Sequence, residues 1–320
     1  MGRYVVRRIL WGILLLFLVS ALTFIFFYIF PTANAAQLRA GRNASPAEIA
    51  RLAHALGLDK PIYTQFFDYV KGVVLHFNLG YSYFSEEPVR TLIFNRLPAT
   101  LSLTVGAVVL WIVLGIPVGI ISAIKRGKLV DRAAMGTALV FVSMPVFWLG
   151  LIVLLLFATD IGQIPIFPGA NSYVGLTVSP VKWFESLILP WIVLAATQAA
   201  IYSRLLRGNL LEVMGEDYIR TARAKGLPER DVIFRHGLRS AITPVVTVLG
   251  IDIAGLLGGA VLTETVFSIH GIGLLNYNAI SNGDLPVVQG TVLLAAMAVV
   301  VLNIIVDIGY AYLDPRVRYS

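Results

Sequence analysis

The chain has 320 residues, of which 58% are hydrophobic and 13% charged, with a formal net charge of +7 and no cysteine. With a mean hydropathy of +0.81, it is no ordinary soluble domain, since such domains average about 25% charged residues. The absence of cysteine rules out disulfide staples and thiolate chemistry.

Six stretches stay apolar over the roughly 20 residues a helix needs to cross a bilayer. They are Ile9–Phe30, Thr100–Ile124, Ala133–Ala158, Ser186–Ser203, Ala241–Phe267 and Val287–Tyr312. Runs this continuous do not alternate as barrel strands do, and in lipid only helices and closed barrels satisfy the backbone. The expected fold is an all-α polytopic membrane protein of six transmembrane helices.

Arg3, Arg7 and Arg8 before the first run resemble the start of a signal peptide, and Ala33–Ala36 offers a weak cleavage-like site. The run is longer than a usual signal core of about 7–15 residues, so a retained anchor is expected. Seventeen of the 25 Lys and Arg fall on one side if the N-terminus is inside. The positive-inside bias then puts both termini in the cytoplasm. The same asymmetry accounts for the net charge without a nucleic-acid partner.

The expected organisation is residues 1–30 as N-terminus and first span, 31–98 as an extracytoplasmic loop, 99–312 as the core, and 313–320 as a cytoplasmic tail. In the loop, Ser45 caps a helix with Pro46 at its first position. Its apolar face runs through Ile49, Leu52, Ala53 and Leu56 toward Gly57, and a second helix covers Pro61–Leu75. The charge-free stretch Ile161–Val181 carries Gly162, Pro165, Pro168, Gly169, Gly175 and Pro180, which argue for an outside loop, partly re-entrant at most.

Ionisable groups inside spans are costly and face a cavity or a partner. Asp252 and Glu264 on span five are therefore candidate pathway or gate residues. The polar but non-ionisable Asn303 on span six joins them, with interhelical bonding its favoured reading. For Asp252 a hydrogen bond to a neighbouring helix is the competing reading, and for Glu264 an interfacial role. Asn303 and Asp307 lie one turn apart on a shared face. Gly115–Gly119 has the spacing for close helix contact, as have Gly255, Gly258 and Gly259. No HExxH spacing and no GxxxxGK[ST] loop is present, so neither a metal site, nor a catalytic residue, nor ATP hydrolysis is assigned to this chain.

The most informative stretch is Asp217–Arg239, DYIRTARAKGLPERDVIFRHGLR, a charged segment between two apolar spans. Glu212–Lys225 reads as a polar helix with acids Glu212, Glu216 and Asp217 early and bases Arg220, Arg223 and Lys225 late, as the helix macrodipole favours. Gly226 supplies a C-cap, and a second helix begins near Pro228. Tyr218 is a candidate interface anchor, and Ala222, Ala224 and Gly226 are small enough for a partner to approach.

This stretch resembles the cytoplasmic coupling ("EAA") loop of ATP-binding-cassette importer permeases, in its oligopeptide/dipeptide/nickel branch. Arg220-Thr221-Ala222 and Gly226 stand where the general pattern has Glu-Ala-Ala and Gly, and His236-Gly237-Leu238-Arg239 stand at its last four positions. Only Ala222, Gly226 and Leu238 match the general form. The branch fits better over nearly the whole chain: Tyr4–Arg8, Leu56–Pro61, Asn78–Ser82, Arg96–Leu101, Gly115–Gly119, Glu264–Phe267, Gly271–Gly273 and Asp314–Arg318. Departures are Asn78 for Asp, Pro228 for Ser and His270 for Pro.

The resemblance implies the permease subunit of a binding-protein-dependent importer in a bacterial-type inner membrane, working by alternating access. Oligopeptides or dipeptides are the implied cargo, with nickel or another solute as the alternative. A second homologous permease, two ATP-binding-cassette ATPase subunits and an extracytoplasmic substrate-binding protein are the implied partners. ATP and Mg would be held by the ATPases, which would engage Tyr218, Arg220, Thr221, Ala222, Arg223, Ala224, Lys225 and Gly226. A self-contained secondary transporter would leave that stretch without a job, and an intramembrane enzyme has no visible catalytic constellation.

Overall fold

The structure is a computed structural model that describes residues 2–26, 44–55 and 59–313. The Ala33–Ala36 site, Leu56–Leu58, the side chain of Asp307 and the Asp314–Arg318 motif lie outside the described residues. Among the described residues there are helices and no β-strand.

Helix α1 is Gly2–Phe24, α2 Pro46–Ala55, α3 Ile62–His76 and α4 Val89–Ile124. Then come α5 Leu129–Ser143, α6 Val146–Phe157 and α7 Pro180–Val213. Helix α8 is Asp217–Ala224, and α9 is Glu229–Ala241 with a π-helical turn over Val232–Gly237. The chain continues through α10 Thr243–Leu257, α11 Val261–Val266, α12 Ile272–Asn282 and α13 Leu285–Leu313.

Four helices are individually long and apolar enough to cross a bilayer, and two bent pairs bring the number to six. In the first pair α5 and α6, which together cover the expected span Ala133–Ala158, meet at 102°. Pro145 causes the break: it has no N–H to donate and pushes Met144 out of the helical region, to ψ 125°. In the second pair α9 and α10 meet at 46°. The expected span Ala241–Phe267 is also interrupted after Leu257, at Gly258–Ala260. There Gly259 adopts φ +119°, and a Cβ on it would overlap Gly273 of the α12 start.

Helices α4 and α7 run side by side in the same direction and form the spine. Small residues let their backbones meet. A Cβ on Gly106 would fall inside the Trp191 indole, one on Gly115 would lie 3.0 Å from the Ala199 carbonyl oxygen, and one on Gly119 2.8 Å from that of Ser203. The close-contact spacing of the sequence is thus satisfied within this chain. Lipid tails remove the hydrophobic drive between helices, so such van der Waals contact is what holds them. Trp191 adds a bond from its Nε1 to the Ser102 carbonyl, 3.1 Å. Leu103, Trp111, Leu187, Tyr202 and Leu206 are buried along this seam.

Helix α1 is peripheral, touching α13 where Gly12 meets Val300 and α3 through the edge-to-face pairs Phe17–Phe66 and Phe24–Phe66. Much of its apolar surface, including Leu10 and Leu22, remains exposed. Helix α2 begins with a reciprocal cap: the Glu48 carboxylate accepts from Ser45 N, 2.9 Å, and Glu48 N donates to Ser45 Oγ, 3.3 Å. The segment 161–179 is irregular, with turns and a single bridge between Ala158 and Phe167.

Candidate functional site

The polar helix expected over Glu212–Lys225 is divided. Glu212 lies in the last turn of α7, the chain turns through Met214–Glu216, and only Asp217–Ala224 forms the short helix α8. Its acid-to-base order holds, with Asp217 in the first turn and Arg223 in the last. Gly226 follows at φ +77°, a left-handed conformation that costs a residue with a Cβ roughly 1–2 kcal/mol. A Cβ there would meet nothing within 4 Å, so the demand for glycine comes from the backbone alone.

One side of α8 is committed to the chain itself. Ile219 and Ala222 are buried against Val232, beside Val213 and Met214. Ala222 therefore faces inward and supports the helix instead of offering a close approach to a partner. Tyr218, Arg220, Thr221, Arg223, Ala224, Lys225 and Gly226 are exposed. Thr221 Oγ1 is turned back onto the Asp217 carbonyl, 2.9 Å. Arg220 reaches Asp217 at 3.3 Å.

Arg223 forms a two-pronged pair with Glu229, Nη2 to Oε1 at 2.7 Å and Nε to Oε2 at 3.1 Å. It spans the Gly226–Pro228 turn and fixes α8 to the start of α9. The Arg223 hydrogen bond holds the Glu229 carboxyl below its ordinary range. Three exposed apolar side chains, Tyr218, Leu227 and Phe234, stand around this charged element. Leu227 and Phe234 escaped the sequence reading, because a lone apolar residue between charges carries no periodic signal.

The stretch is seated on the end of α7. Gly237 of α9 lies against Met214 and Leu210, where a Cβ would be 3.0 Å from Met214 Sδ. Val232 and Ile233 are buried, and Leu238 packs on the main core.

The candidate pathway residues separate. Glu264 is wholly buried and belongs to a polar knot between α11, α4 and the start of α12. Its Oε1 accepts from Thr100 Oγ1 at 2.8 Å and its Oε2 from Leu274 N at 2.8 Å, while Thr100 Oγ1 accepts from Ile272 N at 2.8 Å. A Cβ on Gly271 would lie 2.5 Å from the Glu264 carboxyl carbon. The Glu264–Phe267 and Gly271–Gly273 motifs are thus two halves of one contact. Asp252 accepts from Tyr202 Oη on α7, 2.8 Å, and remains partly exposed on α10. Asn303 is exposed and lines a groove between α13 and α1 with Trp11, Gly12 and Val300. The three do not form one site.

Two further polar clusters had no sequence signal, since their members are far apart in the chain. Asp284, buried ahead of α13, accepts from Ser82 Oγ and from Tyr83 N at 3.0 Å, anchoring the Asn78–Ser82 motif. Asp131 of α5 is buried and bound to Arg207 of α7. Among the described residues no cluster of three or more His, Asp or Glu could hold a metal ion.

The described residues thus form a bundle of long apolar helices with one short polar helix, α8, seated at the end of α7. The chain belongs to the binding-protein-dependent transport system inner membrane component family, whose model matches residues 115–319, with the corresponding N-terminal model matching residues 1–104. It is 40% identical over 321 residues to the dipeptide transport system permease protein DppB of Escherichia coli (strain K12), with 94% of each chain covered. It is 40% identical over 332 residues to the protein of the same name from Alkalihalophilus pseudofirmus, with 99% of each covered. The inward-facing MetNI methionine ABC transporter shares its fold at a TM-score of 0.53 and 21% identity, over 71% of this chain and 99% of that one. The chain is a membrane-embedded permease component of such a transport system.

Proposed function

We propose that this permease imports short peptides, driven by separate ATPase subunits that dock on the exposed side of Tyr218–Gly226. The observation that carries the proposal is the two-sidedness of α8. Ile219 and Ala222 are buried in the chain's own loop while Tyr218, Lys225 and Leu227 are exposed, as a helix needs if it is to be held from behind and gripped from in front. A partner groove covering Tyr218 would gain an aromatic anchor.

In this reading a second, homologous permease completes the translocation path, and two ATPase subunits hold ATP and Mg and carry out hydrolysis. A binding protein delivers cargo to the outer loops, chiefly the 31–98 stretch of the sequence, and both termini lie in the cytoplasm of a bacterial-type inner membrane. Closure of the ATPases pushes on α8 and rocks the bundle between inward-open and outward-open forms. Peptide cargo is supported by the names of the full-length relatives.

The test is uptake by proteoliposomes holding the permease pair, the ATPases and the cognate binding protein. ATP-dependent accumulation of a radiolabelled dipeptide, competed by unlabelled dipeptide and not by a nickel chelate, is expected. ATP-dependent uptake of the nickel chelate with no peptide uptake would overturn the cargo assignment.

A further inference from the structure

Helix α8 and the α7 end on which it sits must pass any push on to the rest of the bundle. Main-chain continuity carries it up α7, and the α4–α7 seam and the packing of α5 and α6 on α7 spread it sideways. At the near end, a charged side-chain link adds a directional connection. Arg207, two turns before the end of α7, gives Nε to Asp131 Oδ1 at 2.7 Å and Nη2 to Asp131 Oδ2 at 2.8 Å.

Asp131 sits in the first turn of α5. The same carboxylate accepts from Ser122 Oγ, in the last turn of α4, and from Gly127 N at 2.8 Å, in the α4–α5 turn. One buried anion thus collects four donors from three segments, α4, the α4–α5 turn and α7. Paired guanidinium–carboxylate bonds fix direction as well as distance. From Arg207 the chain runs through Leu210 and Met214, which hold Gly237 of α9, to the Ile219–Ala222 seat of the docking helix.

We infer that the Asp131–Arg207 pair is the positioning joint that carries movement of the docking helix from α7 into the α4–α5 corner. This rests on the coupling reading above and names the residues through which it acts. Loss of the pair should disconnect ATP hydrolysis from movement at the far end of the bundle without abolishing ATPase docking.

Because the chain has no cysteine, a His270→Cys substitution places a single thiol in this chain, at an exposed position beside the Glu264 knot. An environment-sensitive fluorophore there reports ATP-dependent movement in the assembled importer, with label on partner subunits subtracted using the complex without that substitution. Arg207→Lys keeps the charge and removes the fork. It should leave the ATPase rate within about twofold while the ATP-dependent signal falls roughly fivefold or more, the size of a lost coupling between sites. Exchange of the pair, Asp131→Arg with Arg207→Asp, should restore part of the signal.

An unchanged signal in Arg207→Lys would overturn the joint, as would parallel loss of ATPase rate and signal with no recovery on exchange. Failure of the parent His270→Cys complex to retain ATPase subunits would instead overturn the coupling reading, and the joint with it.

Discussion

Thr100 and Glu264, 164 residues apart in the chain, share a 2.8 Å hydrogen bond in a buried site. Thr100 is a relay: it donates to the carboxylate and accepts from Ile272 N, so α4, α11 and the start of α12 are tied through one hydroxyl and one carboxyl group. A carboxyl group buried at this depth is costly unless donors meet it, as they do here from two directions.

Glu264→Ala strands Thr100 and Leu274 N and should destabilise the protein by about 1–3 kcal/mol, the cost of orphaning buried hydrogen-bond partners. Glu264→Gln, which still accepts through one oxygen, should lose less. Thermal unfolding of the purified complex in detergent checks the order.

The α4–α7 seam makes an equally sharp demand. A Cβ on Gly106 enters the Trp191 indole, so Gly106→Ala should cost about 1–3 kcal/mol by overpacking. The same substitution in a Trp191→Phe background should cost less, because the ring retreats. A double-mutant cycle on unfolding midpoints measures the coupling.

Much of this was legible in the sequence. Span positions and the helices after Ser45 and Pro61 follow from periodicity and caps, which are local. The outer motifs were visible as separate pieces, yet nothing local says that Glu264 reaches Gly271 and Thr100. Asp131 and Arg207 each look like ordinary loop-end charges, and their pairing is a fact of three-dimensional packing. Pro145 inside a span marks a place where a helix can bend, but the 102° angle depends on what α6 meets beyond it. The division of Glu212–Lys225 was missed because charge order does not mark where a long membrane helix ends.

The turn after α8 offers a backbone test. With φ +77° and open space around it, Gly226→Ala should strain the turn by about 1–2 kcal/mol, and Gly226→Asn by less, since asparagine tolerates that conformation. Amide exchange at Leu227, whose N–H bonds the Ala222 carbonyl at 3.4 Å, should quicken in the same order.

The Arg223–Glu229 clasp predicts a pH dependence. The carboxyl of Glu229 is depressed by its bond to Arg223. The clasp therefore stabilises the turn above the ordinary carboxylate range and is lost as pH falls through the lowered value. Exchange protection of Gly226 and Leu227 should decline between about pH 5 and pH 3, spanning the usual carboxylate range. In Arg223→Gln, which has no clasp to lose, protection should be lower throughout and most of that decline should disappear.

Tyr218, exposed on α8, should act as an anchor. Tyr218→Ala should weaken ATPase binding by at least about 2 kcal/mol, roughly thirtyfold, with the permease fold unchanged. Titration of detergent-solubilised permease pair with the purified ATPase measures it.

The central claim is that this chain is gripped by ATPase subunits at Tyr218–Gly226. Affinity purification from the native membrane, comparing the unaltered chain with Gly226→Arg, tests it most directly. Recovery of ATPase subunits with the first and their loss with the second is the expected result. A well-folded chain recovered from the native membrane without any ATPase, or equal recovery with both chains, would contradict it.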